Sequence, residues 1–154
     1  MPNSFPSLPD PVRQSQYYQG LVTGRFLAWV IDAIVISILT AIAVLFTAFT
    51  AVLFLGVLSL AVSLTYRWLT LSFASATPGM QVMGIELRDL DGHRLNGTTA
   101  FWHSALFLFL KGMFVPLLIS VAMMAGSRYG QGLHDAVCGV VAINRPRGRG
   151  LARA

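Results

Sequence analysis

Gly24-Arg25-Phe26-Leu27-Ala28-Trp29-Val30-Ile31-Asp32-Ala33-Ile34-Val35 opens the first long apolar run of the chain with an arginine, then sets a carboxylate inside it. In a helix, Arg25 and Asp32 are two turns apart, so both side chains leave nearly the same face, about 10 Å apart along the axis. Arg25 suits the lipid headgroup level, but Asp32 falls in hydrocarbon. A charge there costs roughly 2.5–3.5 kcal/mol on insertion scales, so such residues face a protein interior or a water-filled cavity and have a partner. The stretch therefore predicts a membrane helix carrying a buried acid.

Working outward, residues 26–66 carry no charge except Asp32. As one helix this run would be roughly 60 Å long, about twice the thickness of a bilayer's hydrocarbon core, so it must fold back on itself. The expected hairpin has helices at about 25–46 and 50–71, with its turn near 46–50. Residues 72–98 differ in kind. Thr77-Pro78-Gly79 and Gly84 precede Ile85-Glu86-Leu87-Arg88-Asp89, and Asp91-Gly92 marks a tight turn. Dense charge places this segment outside the bilayer. Residues 99–126 are apolar again but are broken by Lys111, Gly112 and Pro116. They predict a third membrane segment, kinked or re-entrant: a helix lying at the interface over about 98–110, then a shorter inserted one over 112–126. Val140–Ile143 is rich in β-branched residues and is expected to pair with Ile85–Leu87.

The fold class that follows is an all-α membrane protein: a two-helix transmembrane hairpin, a third segment, and a small β-like cap. The predicted organisation is a mobile Pro-rich arm over 1–20, a transmembrane domain over 21–144, and a basic disordered tail over 145–154. Composition agrees, since 55% of the 154 residues are hydrophobic and only 11% charged, against about 25% charged in soluble domains. The N-terminus lacks the basic start and apolar core of a secretory signal, so the first run is expected to be a retained helix. The net charge of +5 comes from bases flanking apolar runs, which points to anionic headgroups and membrane orientation rather than nucleic acid. One cysteine, Cys138, excludes an intrachain disulfide and a cysteine-based zinc cluster. No cofactor or metal is expected.

The turn between the first two helices has no Lys or Arg, whereas the arm, the central loop and the tail do. The positive-inside rule thus predicts a multi-pass cell-membrane protein with arm and central loop cytoplasmic. Three full crossings would put the basic tail outside, so a re-entrant third segment fits better. Pairing 85–87 with 140–143 also requires one side.

Taken together, Gly24-Arg25, Asp32, Thr77-Pro78-Gly79, Gly84 before Ile85–Asp89, Asp91-Gly92 and Gln131-Gly132-Leu133-His134-Asp135 ahead of Gly139 resemble the RDD family, over about 20–144. Two places depart from the family pattern: Met80 stands where a lysine is common, and the bases of the third segment are thinned to His103 and Lys111. The resemblance marks Arg25, Asp32 and Asp135 as signature residues, with His134, Gly79 and Gly84 in support. What the resemblance implies of function is a family with a mostly unassigned role, for which transport is proposed and sodium–proton exchange suggested for some members.

The residues leave two functions open. Asp32 and Asp135 could serve an ion or proton site, since hard cations take oxygen ligands and a buried carboxylate suits proton exchange. Alternatively, Arg25 pairs with Asp135 or with Asp32 as a structural lock in a non-transporting scaffold or assembly partner. In either case a homo-oligomer or membrane-protein partner is expected, because two or three helices hardly enclose a pathway. His134 beside Asp135 resembles a base with its orienter, but no nucleophile accompanies them in sequence, so no enzyme is expected. His134 is expected to cap a helix or meet headgroups, and His93 and His103 to be ordinary interface residues. Gly79 and Gly84 lack the Gly-Lys-Ser/Thr ending of a phosphate loop and are expected to permit tight turns.

Overall fold

The computed structural model describes residues 5–47 and 50–145. In chain order the elements are α1 (Leu21–Phe46), α2 (Leu55–Ala74), α3 (Pro78–Val82), β1 (Ile85–Asp89), α4 (Gly97–Lys111), α5 (Phe114–Gly126), α6 (Leu133–Cys138) and β2 (Val140–Asn144). Short 3-10 turns at Ser15–Tyr17 and Thr50–Phe54 lead into α1 and α2. The hairpin is therefore present, with its second helix starting and ending a few residues later than 50–71. Ala48 and Phe49, in the expected turn, and residues 146–154 of the basic tail lie outside the described residues.

Two helical stretches, Ser15–Phe46 and Val52–Ala74, are long and apolar enough to cross a bilayer. Their residues are sorted the opposite way from a soluble protein. Ile34, Ile38, Ile42, Leu45 and Leu60 are exposed, whereas Asp32, Thr40, Ser63 and Arg67 are buried. That is the arrangement expected when the solvent is lipid and polar groups hold helices together. The third apolar run is not one helix. It breaks at Gly112 and Met113, and α4 and α5 bend by 118° across the break. Pro116 sits in the first turn of α5, where its missing N–H leaves no bond unmade.

The strands form the expected pair. β1 and β2 run antiparallel, with Leu87 opposite Ala142 and Ile85 opposite Asn144. Side chains alternate across this ribbon, so Ile85, Leu87, Val140 and Ala142 pack with Leu21 and Leu71, while Val141 and Ile143 pack with Leu8 and Tyr129 on the other side. Residues 5–20, expected to be a mobile arm, lie against that second side: Tyr18 donates to Pro9 O at 2.8 Å, and Asn144 Nδ2 donates to Gln16 O and Gln19 O at 3.0 and 2.9 Å. Arm, central segment and C-terminal strand thus share one end of the helical bundle, as a bent third segment requires.

Candidate functional site

Two buried nodes, each an arginine facing a carboxylate, join the helices to the cap. The first is built by α1, α4 and α6. Gly132 N–H donates to Asp135 Oδ2 at 2.9 Å, fixing the carboxylate over the first turn of α6. Arg25 Nη1 donates to the same oxygen at 2.5 Å and also faces Gly130 O at 3.4 Å. His103, reaching in from α4, lies 2.8 Å from Asp135 Oδ1 through Nε2. A carboxylate only accepts, so that nitrogen carries the proton, and His103 Nδ1 is buried without a partner. His134 Nε2 is 3.2 Å from Arg25 Nη2, and its Nδ1 is 3.4 Å from Ser120 Oγ on α5.

The charges at this node follow from its surroundings. Burial alone pushes the Asp135 carboxyl up, but the Arg25 guanidinium and the His103 hydrogen bond hold it well below the usual carboxylate range. Asp135 is thus ionised. Burial pushes the His134 imidazole down to about 3, so the ring is neutral. With Nε2 accepting from Arg25, Nδ1–H points at Ser120 Oγ, which already accepts Leu133 N–H at 3.0 Å. Ser120, His134 and Asp135 form a chain like a hydrolase triad, yet in this tautomer the ring offers the serine no lone pair. His103, His134 and Asp135 also bring ligand atoms within 4.8 Å of one another, a set of metal-binding type. Arg25 occupies the place a cation would take beside Asp135.

The second node is built by α1, α2 and the start of α3. Asp32 Oδ1 accepts from Tyr66 Oη at 2.8 Å and from Gly79 N–H at 2.9 Å, and Oδ2 accepts from Thr77 Oγ1 at 2.6 Å. Thr77 caps α3 while Pro78 starts it, a sequence signature of a helix N-terminus. The positive partner is Arg67, whose Nη1 is 3.8 Å from Asp32 Oδ2, too far for a hydrogen bond. Its guanidinium carbon lies 4.0 Å from the Phe107 ring centre, a cation–π distance. A cleft of about 130 Å³ opens beside this node, lined by Asp32 and Arg67 together with Trp29, Ser63 and Lys111.

The signature residues therefore do not form one constellation. Arg25 meets Asp135, as one of the two expected locks has it, but Asp32 pairs with Arg67 and not with Arg25. His134 is buried between Arg25 and Ser120, and it is Asp135 that caps α6. His103, expected to be an interface residue, is fully buried against Asp135. Gly79 serves close approach: a Cβ there would lie 2.2 Å from Ala28 O. Gly84 does make a turn, at φ +69° just before β1. Sequence reasoning missed Tyr66, Arg67, Thr77, His103 and Ser120. Only Thr77-Pro78, as a capping signature, and Arg67, as the lone base of the second run, carried a signal.

No curated protein and no solved structure matches the chain. The RDD family model matches residues 20–139, which takes in both nodes and the helices α1 and α2. The chain belongs to the RDD family, a family of small membrane proteins.

Proposed function

We propose that this chain is a membrane assembly module, in which the arginine–carboxylate nodes lock the helical hairpin to a cap that presents it to other membrane proteins. The observation that carries this reading is saturation. Both oxygens of Asp32 and both of Asp135 are already engaged by donors from the chain, so neither acid is a vacant cation ligand. A permanently charged guanidinium suits such a lock. The apolar faces left outside, notably Phe114, Val115 and Leu118 on α5, suit lipid and a second copy or another membrane protein. By the positive-inside tendency the cap end is cytoplasmic, and its bases meet anionic headgroups there. The reading includes no enzymatic role.

A second reading is proton-coupled cation exchange. It is favoured by the buried run His103–Asp135–His134 with an unpaired His103 Nδ1, since carboxylate and histidine chains at membrane depth recur in proton relays. Proteoliposomes carrying an internal pH dye separate the two. The assembly reading expects no cation-driven proton flux above empty vesicles, with Asp135→Asn lowering stability and oligomer yield. Flux in the wild type that Asp135→Asn abolishes, in protein that still folds and assembles, would overturn it in favour of exchange.

A further inference from the structure

We propose that the cleft between α1, α2 and α4 binds an oxyanion, a phosphate or carboxylate group, between Arg67 and Lys111. Arg67 is 4% exposed and borders the cleft. Among the described residues its guanidinium makes no hydrogen bond, and Nε is buried without a partner. Buried donors left unmatched are costly, and an arginine carries five of them. Asp32 does not meet this need. It stands 3.8 Å away, and its oxygens are held by Tyr66, Thr77 and Gly79.

Lys111 adds a second positive charge to the same cleft. Its Nζ lies 5.3 Å from the Trp29 ring centre, and among the described residues no acid is within ion-pair distance of it. With Asp32 neutralising only one of two cations, the cleft keeps an excess positive charge beside a helical bundle that faces lipid. An anion would supply acceptors for the guanidinium and a counter-charge for the ammonium at once. A water-filled cleft would supply the first and not the second. At about 130 Å³ the space holds one phosphate or carboxylate group, so an anionic lipid would enter headgroup first and leave its chains outside. A free anion would enter from the aqueous end.

The test uses the full chain purified in maltoside detergent, with thermal unfolding followed during titration. The probes are short-chain phosphatidylglycerol, short-chain phosphatidylcholine, inorganic phosphate and acetate. The expected result is a rise in the unfolding midpoint with an anionic probe and none with phosphatidylcholine. Response to phosphatidylglycerol alone identifies a lipid headgroup, and response to phosphate or acetate a free anion. Lys111→Gln should weaken the response roughly tenfold, and Ser63→Leu, which fills the cleft, should remove it. A chain lacking residues 146–154 should respond like the wild type, which separates the cleft from tail–lipid attraction. Arg67→Gln is not the deciding variant, because it strips the partner of Asp32. Unchanged midpoints with every anion, or a Lys111→Gln protein that responds like the wild type, would overturn the proposal.

Discussion

The two nodes solve one problem in different ways. At the Asp135 node the arginine and the acid share a direct hydrogen bond, and two histidines close the ring around them. At the Asp32 node the acid is satisfied by neutral donors, and its arginine stands off at 3.8 Å beside an open cleft. One node is closed on itself, whereas the other leaves its cation short of acceptors. The difference teaches that charge neutrality and hydrogen-bond satisfaction are separate demands. A lock needs both, and a binding site can begin where the second is unmet.

The comparison can be broken most strongly at the closed node. Arg25→Leu leaves the Asp135 carboxylate buried without its counter-charge. Removing one partner of such a pair costs about 3–5 kcal/mol, so unfolding in detergent should begin far below the wild-type temperature. Next comes the backbone contact that the open node depends on. Gly79→Ala drives a methyl group against Ala28 O, 2.2 Å from the ideal Cβ position, and should destabilise by roughly 1–3 kcal/mol as overpacking does. Loss of the residue-79 N–H bond to Asp32 should accompany it, visible as faster exchange of that backbone amide than in the wild type.

Acid sharpens the contrast, because only the closed node holds a neutral histidine outside the spanning helices. The His134 pKa is lowered in the fold, from 6.5 to about 3, so the unfolded chain takes up a proton that the folded chain refuses. Stability is then full above about pH 6.5 and falls as pH drops toward 3, by about 1.4 kcal/mol per pH unit while the difference persists. Asp135 acts with the same sign at lower pH, since its folded value is also depressed. His134→Gln should flatten the loss between pH 6.5 and 4, read as the pH dependence of the unfolding midpoint. The smallest effect is expected at the open node. Tyr66→Phe removes one of three donors to Asp32 and should cost about 1 kcal/mol, read as the unfolding midpoint at neutral pH.

How much of this was legible in the sequence depends on the range of the interaction. The hairpin, the broken third segment and the β1–β2 pair could be read because hydropathy, Gly112 and Pro116, and β-branched runs are local signals. The pairing of Arg25 with Asp135 was legible as one of two options, since a buried acid demands a base. Its twin was not, because Arg67 resembles any base ending a membrane run until the fold brings it within reach of Asp32. His103 was misjudged for a related reason: one histidine in an apolar stripe says nothing about a carboxylate 32 residues away. The arm's contacts carried no local signal, since proline content says nothing of the way Asn144 and Tyr129 tie residues 5–20 to the cap.

The central claim is that the paired charges lock the fold and are not ligands awaiting an ion. A double-mutant cycle on Arg25 and Asp135, measured by chemical unfolding of the full chain in one detergent, tests it most directly. The account predicts that Arg25→Leu and Asp135→Leu each destabilise strongly, and that combining them costs little more than either alone, because the second substitution removes the stranded charge. Losses that add, or single variants as stable as the wild type, would contradict it.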